Sequence, residues 1–245
     1  MSGGDESGRE GGDPGGEDID DHRQPGRVRD VYDDIAPHFS DTRAYPWPEV
    51  EAFVDSCDRG RRGLAVGCGN GRHLAVLSQR VDCAVGLDLS RNLLLEARER
   101  SEADSPNWPL LQGDAAALPL RDGTIDVAVY VATLHHLPDR ERRRGSLNEL
   151  ARVLGEGGRA LVSAWSTAHD RFDAPADARE GFDTTLDWTL PGGETVPRVY
   201  HIYAPAEFDA DLAASDLVVE ESYVSSGNCY AEVGVATDDS EGKRP

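Results

Sequence analysis

The segment RRGLAVGCGNGRHL, Arg61 to Leu74, constrains this chain more than any other. Leu64, Ala65 and Val66 form a short apolar run that ends in glycines at every second position, Gly67, Gly69 and Gly71. A helix-forming stretch from Arg72 to Gln79 follows at once. Strand, glycine turn and helix make the opening unit of a doubly wound α/β sheet, whose ligand sits outside the carboxyl ends of the strands. Glycine is needed where the backbone turns tightly and a ligand must approach with no Cβ in the way. The spacing matches neither the dinucleotide fingerprint GxGxxG nor the phosphate loop GxxxxGKS/T. Alone, the turn is equally compatible with a plain strand-to-helix connection, so the residues after it decide.

Those residues alternate strand and helix regularly. Asp82 to Asp88 reads as a second strand and Ser90 as the N-cap of a helix from Arg91 to Arg100. Trp108 to Gly113 is a third strand, and Thr124 to Val131, after the Asp122-Gly123 turn, a fourth. A helix from Asp139 to Leu154 is stopped by Gly155, Gly157 and Gly158, and a fifth strand runs from Arg159 to Trp165. Ahead of the glycines, Val31, Ile35 and Phe39 recur at helical spacing, with Pro37 expected to bend or end that helix. Pro48 opens a second helix through Cys57. Residues 167 to 196 are polar, bear Pro and Gly, and read as a long flexible insertion. A strand from Tyr200 to Tyr203, a helix from Pro205 to Ala214 and strands near 217–224 and 230–236 complete the pattern. One domain from 27 to 237 is expected. Tails 1–26 and 238–245, rich in Gly, Asp, Glu and Ser, offer little to bury and predict disorder.

Charge bears on environment more than on fold. The 245 residues carry a net charge of -21 from 46 acidic and 25 basic residues, and Lys243 is the only lysine. An acidic shell of this kind suits a high-salt cytosol, where it maintains solubility. Cys57, Cys68, Cys83 and Cys229 form no CxxC pair, so neither a metal site nor a disulfide framework is expected. With no signal peptide and no long apolar run, the reading is a cytoplasmic protein without membrane contact.

Three strand ends carry the cofactor pattern. Asp88, with Leu89 beside it, ends the second strand where a carboxylate can accept both ribose hydroxyl hydrogens. Asp114-Ala115 follows the third strand and offers an acceptor for an adenine exocyclic amine. Val131, ending the fourth strand, would lie beneath a methionine chain. Together with Gly67, Gly69 and Gly71, this order is similar to that of S-adenosylmethionine (AdoMet) methyltransferases. It implies AdoMet as cofactor and a Rossmann-like, class I methyltransferase fold: an α/β, seven-stranded, mostly parallel sheet closed by a C-terminal antiparallel hairpin. One departure is Ala65, where such enzymes usually carry an acid that helps hold the cofactor's ammonium group. Its absence predicts weaker binding, and leaves open a non-catalytic scaffold.

The stretch VYDDIAPHFSDTRAYPWP, with GCGNGRHL, HHLPDRERR, LGEGGRALVSAW, RVYHIY and SYVSSGN, resembles the tRNA wobble-uridine carboxymethyl methyltransferase family over Val28 to Val235. The resemblance implies methyl transfer from AdoMet to the carboxylate of 5-carboxymethyluridine in a tRNA anticodon loop, forming the methyl ester. It also implies a heterodimer with a small zinc-binding activator protein that covers an apolar surface. Cys229 departs from the family, which usually carries Trp after the Asn at position 228. The alternative enzyme is a small-molecule methyltransferase of quinone-biosynthesis type, since His135-His136 is common to many relatives.

A carboxylate nucleophile needs no strong base, because its ordinary pKa is roughly 4. Positioning remains, and a planar guanidinium can hold a carboxylate in a fixed plane. Arg43 is the first candidate and Arg198 the second, with His135, His136 and His201 lining the site and Tyr32, Trp47 and Asn228 holding the substrate. Arg140, Arg142, Arg143 and Arg144 form the densest basic cluster for RNA, with Arg59, Arg61 and Arg62 another. In molar salt the Debye length is about 3 Å, so such contacts rely on stacking and hydrogen bonds to splayed bases.

Overall fold

The computed structural model describes residues 24–104, 108–175 and 177–236. The disorder expected for the tails falls on positions outside these residues, except that Pro25 and Gly26 open a helix. That helix, α1 (Pro25–Thr42), is followed by α2 (Pro48–Ser56), β1 (Gly60–Val66), α3 (Arg72–Leu77), β2 (Val81–Asp88), α4 (Arg91–Asp104) and β3 (Leu110–Gln112). Then come β4 (Ile125–Val131), a 3-10 turn at Leu134–His136, α5 (Arg140–Val153), β5 (Leu154–Trp165), β6 (Phe182–Thr189), β7 (Thr195–Ile202), α6 (Pro205–Ala213), β8 (Val218–Ser225) and β9 (Asn228–Gly234).

The main sheet has seven strands in the order β3-β2-β1-β4-β5-β9-β8. β1 to β5 pair in parallel, and β9 runs antiparallel to both β5 and β8. The order reverses between β1 and β4, so the turns after those strands diverge and open a crevice at their carboxyl ends. Both faces are covered. Leu64, Val66, Leu87 and Tyr130 pack against Leu147, Leu150 and Phe208 from α5 and α6. On the other face Ala65, Val127 and Val129 pack with Val50, Phe53, Leu74 and Leu94.

Three details differ from the sequence expectation. Pro37 does not end α1 but lies inside it. A proline there strands the carbonyl four residues back, and Asn92 Nδ2 donates to that carbonyl of Asp33 at 3.0 Å. The Asp33 carboxylate meanwhile accepts from Ser90 Oγ (2.6 Å) and from Asn92 N (2.9 Å). Ser90 itself caps α4 as expected, its Oγ accepting from Leu93 N at 3.1 Å. These bonds pin α1 across the start of α4 and over the crevice. Second, β5 begins at Leu154, not Arg159. Gly155, Gly157 and Gly158 form an irregular stretch of strand against β4 rather than a helix stop. Gly157 has φ +72°, and a Cβ at Gly158 would stand 2.7 Å from the Ile125 carbonyl oxygen.

Third, half of the expected insertion is a hairpin. β6 and β7 pair antiparallel from Phe182↔Ile202 to Thr189↔Thr195 as a separate two-stranded sheet. The link turns at Gly193, with φ +86°. The end of β7 joins the main sheet's margin, where Tyr203 N donates to Trp165 O at 2.9 Å. The hairpin therefore stands above the carboxyl ends of the strands, facing α1.

Candidate active site

A cleft of about 350 Å³ opens at the switch point, floored by the turns after β1, β2 and β4 and walled by α1 and β7. Gly67 and Gly69 line it in left-handed backbone, with φ +65° and +53°. A Cβ on Gly67 would fall 2.0 Å from Thr133 Oγ1, so only glycine lets the β1 and β4 turns come this close. Gly71 is set back from the cleft. Its φ is +78°, and a Cβ there would meet the Trp108 ring at 2.9 Å, so it serves the packing of α3 on α4.

Asp88 is buried at the end of β2 and holds the glycine turn directly. Its Oδ2 accepts from Gly69 N (2.8 Å) and its Oδ1 from Ser90 N (2.9 Å). Burial pushes its pKa up to about 6 although these bonds pull the other way. An ionised carboxylate accepts about four hydrogen bonds, so Asp88 keeps acceptor capacity for a diol in the cleft. Leu89 and Ala115 also line it. Asp114 does too, with Oδ1 accepting from Ala116 N (2.8 Å) and its other oxygen held by Arg142 Nη2. Val131 is a core residue, 5% exposed, and Ala132 (φ +55°) and Thr133 line the cleft in its place. Ala65 is buried in the α2–α3 core, so Asp88 and Asp114 are the acids among the described lining residues. A glycine cradle beside a buried acceptor carboxylate fits a ribose-bearing, AdoMet-like cofactor.

The other half of the cleft is cationic and aromatic. Trp188 of β6 donates from Nε1 to His38 Nδ1 at 3.0 Å. The Arg43 guanidinium carbon lies 5.2 Å from the centre of the Trp188 ring, and that of Arg198 lies 4.7 Å from it. Neither arginine forms an ion pair among the described residues, and Arg198 Nε is buried without a hydrogen-bond partner. In a chain with nearly twice as many acids as bases, two arginines without a paired carboxylate are unusual. Trp188 was hidden from sequence reasoning inside the supposed insertion, although Phe182, Thr184, Leu186 and Trp188 alternate as a strand requires.

His135 and His136 sit behind this pair. Val199 O can only accept, so His136 Nδ1 carries the proton toward it (3.2 Å), and Nε2 accepts from Tyr32 OH at 2.8 Å. His135 Nδ1 accepts from Trp165 N at 3.0 Å, which puts its proton on Nε2. Burial, aided by the Arg198 charge, lowers the pKa of His136 to about 3 and holds that of His135 well below the usual range. Both are neutral dipoles at neutral pH. Trp47 and Asn228 line the cleft.

His201 does not line it. Strand alternation turns Arg198 and Tyr200 to the cleft and His201 away, between Asp183 Oδ1 (2.7 Å) and Glu207 Oε1 (3.0 Å). Cys229 is likewise turned into the core, and burial raises its pKa to about 11. The basic clusters are mostly spoken for. Arg140 and Arg144 both bind Asp211 Oδ1 (2.7 and 2.8 Å), Arg143 faces Glu207, and Arg142 holds Asp114. Arg61 and Arg62 lie near the start of β1, at the sheet end opposite the cleft, with their backbone N–H groups donating to Asp126 Oδ2.

Strand order, glycine turn and Asp88 define a class I AdoMet-dependent methyltransferase fold, and residues 64–158 match the family model described as a methyltransferase domain. A tRNA (carboxymethyluridine(34)-5-O)-methyltransferase of Schizosaccharomyces pombe is 35% identical over 169 residues, 66% of this chain and 68% of the relative. The chain belongs to that family. A Xenopus tropicalis protein of the same description is 41% identical over 139 residues, 57% of this chain, but the match spans only 21% of its length. Among solved structures, a complex of the Haloferax volcanii Trm112 methyltransferase activator with a methyltransferase has the same fold at TM-score 0.62 and 17% identity, covering 86% of this chain and 97% of that one.

Proposed function

We propose that this chain transfers the methyl group of AdoMet to the carboxylate of 5-carboxymethyluridine at the tRNA wobble position, forming the methyl ester. The observation that carries the reading is the pair of cleft-lining guanidiniums, Arg43 and Arg198, which share the Trp188 ring and pair with no carboxylate among the described residues. A quinone phenol would call for a general base, and His135 and His136, held far below the usual imidazole range, are weak ones; two cations suit an acceptor that is already ionised.

Bound AdoMet supplies a methyl carbon on a sulfonium, which leaves as a neutral thioether. Gly67, Gly69, Asp88 and Asp114 would hold it. Arg43 and Arg198 hold one carboxylate oxygen of the nucleoside in plane and leave the second to attack. Tyr32, fixed by His136, and the neutral His135 shape the pocket without drawing a proton, since the acceptor is already ionised. Alignment therefore supplies the rate enhancement, at reacting distances of roughly 3–3.5 Å.

Asp88 gives a pH test. Its pKa in the free protein is raised to about 6, so the carboxylate a ribose diol needs is fully present only above that value. AdoMet affinity should rise with pH through about 6 and then level off, and Asp88→Asn should abolish the step, as read by calorimetry in high salt.

A small activator of the Trm112 kind, zinc-binding as the resemblance implies, is the proposed protein partner. The outer strand β8 supports this, exposing Val218, Val219 and Val224 beside an unpaired edge that another chain could extend. Among the described residues no helix is long and apolar enough to cross a membrane, and a cytoplasmic site of action is proposed. Tritium from labelled AdoMet should enter total tRNA rather than lipid extract, most strongly with the activator present. Label in lipid alone would overturn the assignment.

A further inference from the structure

We propose that Tyr45, Arg72 and Arg100 form a landing surface for the single-stranded RNA that flanks the target nucleotide, an inference that rests on the tRNA reading. The link between α1 and α2 is held by its backbone carbonyls. Asn70 Nδ2 donates to Arg43 O (3.0 Å), Arg100 Nη1 to Ala44 O (3.0 Å) and Arg72 Nη1 to Tyr45 O (3.4 Å). With the carbonyls drawn toward α3 and α4, the Tyr45 side chain projects outward and is 83% exposed. An aromatic ring that exposed, on a pinned backbone, gains nothing for the fold. It is an available stacking face for a base.

The link joins two residues of the cleft, Arg43 and Trp47, so the ring stands on the cleft's rim. Beneath it the charge is concentrated. Arg72 stacks on Trp47, 5.0 Å from guanidinium carbon to ring centre. Burial and the neighbouring Arg43 and Arg100 charges bring its pKa down to about 10. None of the three arginines has a carboxylate in salt-bridge reach among the described residues, unlike Arg140 to Arg144. Three crowded guanidiniums repel one another, and a strand of phosphates relieves that cost where a neutral or cationic protein surface would not. Each of Arg72 and Arg100 spends a single N–H on a carbonyl and keeps others for phosphate oxygens. A half-buried cationic rim with a raised, exposed aromatic is the arrangement that binds single strands with little base preference.

The test is equilibrium binding of a fluorescent anticodon stem-loop RNA, read by anisotropy over a range of salt in which the fold is intact. Tyr45→Ala should weaken binding about tenfold and Tyr45→Phe hardly at all. Arg100→Gln should reduce the slope of log Kd on log salt by about 0.7, the share of one single-strand phosphate contact. AdoMet affinity should be unchanged in all three, which shows the fold intact. Wild-type affinity in Tyr45→Ala with an unchanged slope in Arg100→Gln would overturn the proposal. Because binding is read apart from methyl transfer, a chain that binds the RNA through this rim yet methylates nothing would count against the reaction and not against the surface.

Discussion

Arg198→Ala is expected to lower methyl transfer to carboxymethyluridine tRNA by about 100-fold at saturating AdoMet, the usual size of effect when a reacting group loses its alignment. The same holds for Arg43→Ala, since both guanidiniums rest on Trp188 and line the cleft with no paired carboxylate among the described residues. Lysine should rescue little at either position, because a point charge lacks the planar fork. If the two act as one clamp, the double variant should be scarcely slower than either single variant. AdoMet affinity should hold, since neither residue is part of the glycine turn. Single-turnover rates with nucleosides resolved by mass spectrometry check this, with circular dichroism to show that the β6–β7 hairpin survives. Equal loss of AdoMet binding and turnover would move the arginine in question to the cofactor half of the cleft.

Gly67→Ala should remove AdoMet binding altogether and destabilise the fold. The left-handed backbone alone costs a residue with a Cβ about 1–2 kcal/mol. The larger effect is steric: the Cβ would stand 2.0 Å from Thr133 Oγ1, and that side chain bonds to the Val131 carbonyl at 3.2 Å. The β1 and β4 turns must separate, and the cleft lies between them. Gly123→Ala separates the two costs. Its φ is +63° but nothing lies within 4 Å of its Cβ, so it should lose about the backbone cost and bind AdoMet normally. Calorimetry and thermal unfolding of both variants test the comparison.

The glycine turn, Ser90 as a cap and Asp88 at a strand end were legible in the sequence because each rests on local backbone chemistry. So was the alternation that yields the seven-stranded sheet. What escaped depends on distant partners. Pro37 sits within a helix whose stranded carbonyl is satisfied by Asn92, far along the chain. Arg140 to Arg144 look like an RNA patch until Asp211 and Glu207 fold onto them. His201 and Tyr200 differ by one residue in β7, and a strand puts such neighbours on opposite faces. Trp188 was obscured by the Pro-Gly-Gly turn and polar residues around it, which masked the alternation of FDTTLDWT. Its role as the seat of both arginines is a property of the folded hairpin, not of the local sequence.

The most direct measurement is incubation of the chain, with its activator, AdoMet and tRNA bearing 5-carboxymethyluridine, followed by digestion and mass spectrometry of the nucleosides. Expected is conversion of carboxymethyluridine to a product heavier by one methyl replacing one hydrogen, with the added methyl released as methanol by mild alkali, as an ester requires. A base-stable methylated nucleoside, or unchanged carboxymethyluridine beside a folded, AdoMet-bound protein, would contradict carboxylate methylation by this site.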